Sequence, residues 1–290
     1  MNYRHHYHAG NYADVFKHVL LLQLIRGMQA KEKGFLYLDT HAGRGGYDLT
    51  VPSVLPDGRE RAPEHPAGIG RLWGATNLPA PFADYLGLIQ QFNDRRGATD
   101  KELQYYPGSP WIARLAARPQ DRLFLCELRP DDAELLDFDF ARESRVTVQA
   151  MDGYTALKAQ LPPSEKRALV LIDPPFESQA EFKVILKALG ESLRRLTGGV
   201  FAVWYPITER SRAADFYQDL LALRLPPTFF VELNIAGDAS QLHMKGCGLL
   251  VINPPWKIDA AIRILLPEFV ARLQVAGGAS AHLEWLVSEV

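Results

Sequence analysis

The chain has 290 residues, 47% of them hydrophobic, which is enough for a sizeable core in one large or two small domains. Lysine and arginine number 32 against 34 aspartates and glutamates, so the formal charge of −2 excludes a protein-wide basic field, and any contact with nucleic acid must be a local patch. The longest apolar run near the N-terminus, residues 19–22, is too short for a signal segment or a membrane span.

Both cysteines, Cys126 and Cys247, lie in or beside apolar, strand-like runs. Two isolated thiols without metal-ligand spacing are typical of buried, reduced cysteines. We therefore expect a soluble, cytoplasmic protein.

Histidines crowd the N-terminal segment, at positions His5, His6, His8 and His18. No cysteine or carboxylate completes a plausible ligand set around them, so we predict no metal site. We expect a mobile tail that becomes ordered around bound ligands. Asn11 can cap a first helix, which the helical spacing of its apolar residues predicts to end near Met28.

A first strand at 35–39 leads into a glycine-rich turn at 39–46, Asp-Thr-His-Ala-Gly-Arg-Gly-Gly. Such a turn lets the backbone approach a nucleotide-like ligand closely. It is also compatible with a tight connection that binds nothing. Taken alone, His41 in this turn and His18 in the first helix are typical of core or capping histidines.

An insertion is predicted after the first strand. In dinucleotide-binding folds an acidic residue about 20 residues beyond the glycines, at the end of the second strand, binds the ribose hydroxyls. The best candidate here, Glu127, lies much farther along the chain. We therefore divide the chain into a tail and start of the core at 1–49, an inserted, partly helical subdomain at 50–104, and the rest of the core at 105–290. Within the proline-rich insert, 68–73 and 81–96 are compatible with helix.

Two further polar residues stand before predicted helices. Ser109 follows the turn at 105–108, and Asp152 with Gly153 closes a strand at 146–151. An acidic side chain at that edge of a sheet is well placed to meet an adenine. Ser109 and Asp152 are equally suited to cap a helix, and for Asp152 the two roles are compatible.

Helices and strands alternate along the chain, which predicts an α/β fold with a mostly parallel, doubly wound sheet. The later strands are predicted at 123–127, 146–151, 168–173, 200–204, 229–233, 248–253 and 281–287. Most are short apolar runs of the kind that a buried parallel sheet uses.

The motif Asp173-Pro174-Pro175-Phe176 directly follows the apolar run at 168–172. An exocyclic amine on a planar base is a poor nucleophile, because its lone pair is delocalised into the ring. The Asp173 carboxylate and the Pro174 carbonyl could accept its N–H protons and draw it toward tetrahedral geometry, while the two prolines hold the acceptors still. Phe176 offers a ring on which a flipped-out base would stack. The alternative is a turn that merely ends a strand.

A competing motif, Asn253-Pro254-Pro255-Trp256, also follows an apolar strand. In a doubly wound sheet the fourth strand lies beside the first, and ligands bind at that switch point, outside the carboxyl ends of the strands. Asp173 ends the fourth predicted strand, whereas Asn253 ends one near the far side of the sheet. We therefore assign the chemistry to Asp173 and expect Trp256 to pack in the core.

Together these motifs resemble the RlmJ family of bacterial 23S ribosomal RNA adenine-N6 methyltransferases, over nearly the whole chain. The segments that carry the resemblance are Tyr3-Arg4-His5, His8-Ala9-Gly10-Asn11, Ala13-Asp14-Val15, Lys17-His18, 35–43, 105–110, Asp152-Gly153, 171–175, 204–206 and 251–257. The N-terminal block is far more specific than the motifs shared with other methyltransferases. Phe176 replaces the tyrosine usual in the family, which preserves stacking but loses a hydroxyl, and the proline-rich stretch 51–66 departs from the family pattern.

The resemblance implies a Rossmann-like, class I S-adenosylmethionine-dependent methyltransferase core with a small helical subdomain inserted between strands 1 and 2. It implies that S-adenosylmethionine is held by His18, His41, Ser109, Glu127, Asp152 and Gly153. It also implies that Asp173 is the catalytic residue and that Tyr3 meets the RNA substrate.

We therefore predict direct in-line methyl transfer to a flipped-out adenine of 23S ribosomal RNA, with Asp173 acting more by positioning than as a strong base. We expect a monomer that acts on protein-free RNA or an early assembly intermediate. Methylation of DNA adenine or of a protein glutamine amide uses the same amine chemistry, although the N-terminal block favours RNA. An NAD-dependent oxidoreductase and an RNA-binding module without chemistry are the alternatives from other classes.

Overall fold

The computed structural model describes residues 5–54, 60–99, 102–178, 180–208, 210–237 and 240–289. Its α-helices are α1 (Tyr12–Gln29), α2 (Ala80–Arg96), α3 (Ser109–Ala116), α4 (Pro130–Phe140), α5 (Gly153–Gln160), α6 (Glu181–Arg195), α7 (Arg210–Leu221) and α8 (Ile258–Leu273). Its strands are β1 (Leu36–Asp39), β2 (Gly46–Asp48), β3 (Ser53–Val54), β4 (Glu60–Arg61), β5 (Tyr105–Pro107), β6 (Arg122–Glu127), β7 (Val146–Ala150), β8 (Ala168–Ile172), β9 (Val200–Ile207), β10 (Thr228–Asn234), β11 (Gly246–Ile252) and β12 (Ser280–Val287). Short 3₁₀ helices span His5–Tyr7, His65–Ala67 and Ile69–Arg71.

The central sheet has eight strands in the order β12-β10-β11-β9-β8-β1-β6-β7. Strands β9, β8, β1, β6 and β7 are parallel neighbours, whereas β11 runs antiparallel to β9 and β10, and β12 antiparallel to β10. The predicted α/β, Rossmann-like fold is confirmed. The prediction of a mostly parallel sheet is wrong in one part, since this sheet is mixed. The described residues of the link from β10 to β11 form no helix, and a connection without a crossover joins antiparallel strands.

The reversal of β11 separates the two similar motifs. Asp173 follows β8, next to β1, but Asn253 follows β11 and therefore lies at the opposite edge of the sheet. There its side-chain amide donates hydrogen bonds to the carbonyls of Thr197 (2.7 Å) and Gly199 (2.9 Å). The expectation that Trp256 packs in the core is wrong, because its side chain is 77% exposed. Pro255, the residue before it, lies against Gly27 of α1 instead.

Helix α1 begins as predicted, because the Asn11 side chain accepts hydrogen bonds from the backbone N–H groups of Ala13 and Asp14, each at 3.0 Å. The helix is buried on nearly all sides, where it packs against α2, α3 and α8 and against the sheet. One apolar cluster lies on this face of the sheet, and a second lies under α5, α6 and α7 on the other face.

Residues 50–104 lie between β1 and β6 in the chain and contribute β3, β4 and α2. Their buried side chains, which include Ile69, Leu72, Phe82 and Phe92, belong to the same apolar cluster as α1. This segment therefore packs on the common core. Cys126 and Cys247 are both buried and free, which confirms the prediction for the thiols. Across the described ranges, the helices are too short or too polar to cross a membrane.

The register of β11 against β9 can be tested at Gly248, which pairs with Tyr205. A Cβ at this position would overlap the buried Tyr205 ring, so we expect Gly248→Ala to lower the free energy of unfolding by about 1–3 kcal/mol. Urea unfolding followed by circular dichroism measures this change. Gly87 in α2 is the matched control, because a Cβ there meets no atom within 4 Å and alanine should stabilise the helix by about 0.5–1 kcal/mol. Equal effects at both glycines would contradict the register.

Candidate functional site

A cavity of about 1120 Å³ opens at the carboxyl ends of β1, β6, β7 and β8. The predicted site residues that line it are His18, His41, Ser109, Glu127, Asp152, Gly153, Asp173, Pro174 and Phe176. The sheet brings them together because these four parallel strands end at the same edge. Tyr3, for which the family resemblance implies a contact with RNA, lies outside the described residues.

The glycine-rich turn after β1 is held by Glu127. Gly43 and Gly45 have φ angles of 62° and 84°, which favour glycine. One carboxylate oxygen of Glu127 accepts the Gly43 N–H at 2.8 Å, and the other accepts the Arg129 N–H at 2.8 Å. Burial raises the pKa of Glu127. A carboxylate can accept about four hydrogen bonds, so Glu127 can hold the turn and still accept a ligand hydroxyl.

Asp152 caps α5, as one of its two predicted roles requires. Its Oδ2 accepts the backbone N–H of Thr155 at 2.8 Å and the Thr155 hydroxyl at 2.6 Å. Oδ1 has no hydrogen-bond donor in the described part of the chain, so it is available to a ligand in the cavity. The next residue, Gly153, lies so close to the Thr40 carbonyl that a Cβ would overlap it. Only glycine therefore lets α5 begin this close to the turn after β1.

Ser109 binds a buried carboxylate. It is the first residue of α3 and Gly108 occupies the cap position, so the N-cap alternative for Ser109 is wrong. Its hydroxyl donates to Asp39 Oδ2 at 2.7 Å, and the Tyr37 hydroxyl donates to the same oxygen at 2.8 Å. Asp39 is completely buried, and burial raises its pKa to about 6. The sequence signal for this group is an acidic residue that ends an apolar strand directly before the glycine turn.

Asp173 is paired with a buried lysine that sequence reasoning did not assign to the site. Lys17 Nζ lies 2.6 Å from Asp173 Oδ2 and 2.9 Å from Asp14 Oδ1. Burial lowers the pKa of Lys17, but the two carboxylates outweigh burial and hold that pKa well above its ordinary value. Lys17 therefore stays charged. Because it binds Asp173 Oδ2, the other oxygen, Oδ1, is left without a hydrogen-bond donor from the described residues. The available signal was a lysine within a helix whose other residues are mostly apolar and buried.

Phe176 adopts an unusual backbone conformation. Its φ angle of 49° lies in the left-handed region, which is rare for a bulky side chain and is concentrated at functional sites. Its ring is half-buried and contacts the rings of Phe182 at 5.0 Å and Trp204 at 5.9 Å between centroids. These contacts position an aromatic ring beside Asp173 on the cavity wall.

Both predicted donor-binding histidines are neutral; His18 is buried and His41 is half-buried. Burial lowers the pKa of His41 to about 4, and its Nδ1 lies 2.8 Å from the Thr40 hydroxyl. Burial also lowers the pKa of His18 to about 3. His18 Nδ1 lies 2.8 Å from the Tyr106 hydroxyl, while its buried Nε2 has no hydrogen-bond partner among the residues that the structure describes. A buried ring nitrogen without a partner, on the wall of a cavity, indicates a ligand that supplies the partner.

The N-terminal segment is not a free tail in its described part. His5 Nε2 lies 2.8 Å from Asp14 Oδ2, and His8 Nδ1 lies 2.8 Å from Glu64 Oε2. Both histidines line the cavity, as does Glu64 from the 50–104 segment. Where the structure describes the chain, no three histidine, cysteine or acidic residues are arranged to hold a metal ion.

Comparison with known proteins identifies relatives of the full chain. The family model described as ribosomal RNA large subunit methyltransferase D, RlmJ, matches residues 32–287. The chain is 40% identical to ribosomal RNA large subunit methyltransferase J of Escherichia coli K12 and 39% identical to that of Haemophilus influenzae Rd, in each case over 100% of both chains. The crystal structure of protein LPL1258 from Legionella pneumophila superposes with a TM-score of 0.85 at 35% identity and covers 96% of this chain and 98% of that chain.

The raised pKa of Asp39 predicts a specific pH dependence of stability. Because this pKa is about 6 in the folded protein and about 3.9 when unfolded, the folded state binds the proton more tightly. The stabilisation of the folded state by protonated Asp39 is therefore complete below about pH 4 and is lost as the pH rises through about 6. We expect the free energy of unfolding of Asp39→Asn, relative to wild type, to rise by about 2–3 kcal/mol between those limits.

Urea titrations at several pH values measure this difference. Asp94→Asn, at an exposed position of α2, controls for the loss of a carboxylate. A difference between Asp39→Asn and wild type that does not change with pH would contradict the assignment.

Proposed function

Since the chain belongs to the RlmJ family of ribosomal RNA large subunit methyltransferases, we propose that it methylates the N6 amine of one adenine in 23S ribosomal RNA, by direct in-line transfer from S-adenosylmethionine. The observation that carries the chemistry is the pairing of Asp173 with Lys17, which leaves one Asp173 oxygen free at the cavity wall. When bound, S-adenosylmethionine would supply an electrophilic methyl group.

The polar groups of the cavity fit this donor. Asp152 Oδ1 would accept the donor's adenine amine, and Glu127 would accept its ribose hydroxyls. His18, His41 and Ser109 would surround its methionine portion. The fit is supported by the partnerless Nε2 of His18 and by the close backbone packing at Gly153.

Asp173 and the Pro174 carbonyl would orient the acceptor amine. Two acceptors that bind its N–H groups localise the nitrogen lone pair, and their fixed geometry lowers the entropy cost of attack. The ion pair with Lys17 holds the Asp173 carboxylate in place during the transfer. Transfer would form the bond from N6 to the methyl carbon as the methyl–sulfur bond breaks and S-adenosylhomocysteine leaves. The amine proton becomes acidic only then and would pass to the free Asp173 oxygen and on to solvent, so Asp173 acts mainly by hydrogen bonding and positioning. Phe176 would stack the extruded base.

The RNA would approach from the side of the N-terminal segment and of residues 50–104, which we propose is an inserted subdomain. Arg61 and Glu64 from this segment line the cavity, and the Arg61 guanidinium lies 3.3 Å from the centroid of the Tyr7 ring. Tyr3 would extend this surface. Because the net charge is −2, recognition depends on local RNA shape and on an extruded base more than on a long-range field.

Base extrusion is easiest in single-stranded or flexible RNA. The substrate would therefore be protein-free 23S RNA or an early assembly intermediate in the cytoplasm. A monomer would be sufficient for this reaction, since all the proposed donor and catalytic groups come from one chain. Family membership argues against the oxidoreductase and the non-catalytic RNA-binding module. Methylation of DNA adenine is the alternative that is tested with duplex DNA below.

The role of Asp173 is tested with labelled S-adenosylmethionine and protein-free 23S RNA from cells that lack this activity. We expect Asp173→Ala to lower the rate constant by at least about a hundredfold, because it removes an acceptor that acts on the reacting amine, while the variant still binds the donor. Near-normal turnover would refute the assignment. Wild-type label on duplex DNA but not on RNA would refute the substrate.

The stacking role has a matched control in the second motif. Phe176→Ala should weaken the use of RNA by about tenfold, because stacking contributes about 1–3 kcal/mol per base. Trp256 occupies the corresponding place in its motif but lies on the opposite edge of the sheet and is exposed. Trp256→Ala should therefore leave kcat/KM for RNA unchanged. If both variants lost activity equally, the sheet edge assigned to the site would be wrong.

A further inference from the structure

A chain of three buried polar groups ends at the cavity. The Tyr85 hydroxyl lies 2.8 Å from the Tyr106 hydroxyl, which in turn lies 2.8 Å from His18 Nδ1. Both tyrosines are fully buried, and neither lines the cavity. His18 is the only one of the three that does. Tyr85 comes from α2 in the 50–104 segment, Tyr106 from β5 and His18 from α1.

The number of protons in this chain determines its direction. Two hydroxyls and one neutral imidazole carry three protons, but only two hydrogen bonds join the groups, so one proton needs an acceptor outside the chain. Among the described residues, Tyr85 has no hydrogen-bond partner except Tyr106, and its hydroxyl is sealed from solvent. A proton left there would stay unpaired, at a cost of about 1–3 kcal/mol. At His18 Nε2, a ligand in the cavity can accept it.

We infer that Tyr85 and Tyr106 are positioning residues that hold His18 as a hydrogen-bond donor, and that its Nε2–H binds the carboxylate of the methyl donor. Tyr85 donates to Tyr106, Tyr106 donates to His18 Nδ1, and the imidazole proton is thereby confined to Nε2. The low pKa of His18 agrees with a neutral ring. This inference rests on the proposed function for the identity of the ligand, but not for the tautomer.

Because His18 Nε2 donates a hydrogen bond, it can bind only one end of the methionine portion of the ligand. An N–H group cannot accept a hydrogen bond from the methionine ammonium, whereas a carboxylate accepts hydrogen bonds only. The buried position of Nε2 strengthens such a bond, because the competing water is excluded. Among the described residues His18 Nε2 has no hydrogen-bond partner, so the ligand carboxylate would satisfy a polar group that folding leaves unpaired.

The tautomer is measured directly by nitrogen-15 NMR of histidine-labelled protein with S-adenosylhomocysteine added, because protonated and bare ring nitrogens differ widely in chemical shift. His18→Gln identifies the signal. We expect the proton on Nε2 in wild type and a tautomeric mixture in Tyr106→Phe. A proton on Nδ1 in wild type, or unchanged His18 shifts in Tyr106→Phe, would overturn the inference.

The ligand is tested by comparing dissociation constants for S-adenosylhomocysteine and its decarboxylated analogue. Wild type should prefer the carboxylate form, and Tyr106→Phe should reduce this preference by about three- to tenfold. Tyr205→Phe is the matched control, because Tyr205 is also fully buried and hydrogen-bonded, but its hydroxyl donates to Glu232 at 3.1 Å, whereas that of Tyr106 is bonded to His18. Its preference should equal that of wild type.

The two proposals fail in different ways. Equal binding of both analogues by wild type would overturn the carboxylate contact. If carboxylate preference and the Nε2 tautomer are found but no methyl reaches RNA, the inference is supported and the proposed reaction is refuted.

Discussion

The buried ion pair between Lys17 and Asp173 is the contact on which the geometry of the site depends. Lys17 belongs to the apolar helix α1, and Asp173 to the turn after β8, so their 2.6 Å contact joins two elements distant in the chain. A buried ammonium is tolerated only when it is paired, and loss of one partner costs about 3–5 kcal/mol. Neither α1 nor the turn can shift without breaking the ion pair and losing this free energy. The same helix carries Asp14, which binds His5, and His18, which faces the cavity.

Polar groups around the cavity differ in how much of their hydrogen-bonding capacity the fold uses. Asp39 accepts hydrogen bonds from Ser109, Tyr37 and the backbone of His41 and does not line the cavity, so it serves as an anchor. Asp152 and Asp173 each use one oxygen for the protein and leave the other at the cavity. Groups fixed on one side and open on the other need little reorganisation when a ligand arrives, which is how electrostatic preorganisation works.

Local patterns predicted what local chemistry determines. The cap at Asn11, the end of α1 and the place of β8 beside β1 followed from short-range signals and the rule for doubly wound sheets. The reversal of β11 and the exposure of Trp256 did not, because the direction of a strand depends on how its connection crosses the sheet. The role of Lys17 was also missed. The role of this buried lysine depends on a contact with Asp173, which lies 156 residues later in the chain.

The 50–104 segment supports the site proposed for the methyl donor as well as the surface proposed for RNA. Its helix α2 contributes Tyr85, which contacts the tyrosine bonded to His18, and its Glu64 receives both His8 and the Asn11 side chain. A segment that reaches the buried histidine from one side and the N-terminal segment from the other cannot repack without affecting both. Packing in this segment therefore supports both His18, through Tyr85 and Tyr106, and the N-terminal segment, through Glu64, so the groups of the proposed donor site and of the proposed RNA surface share one structural support.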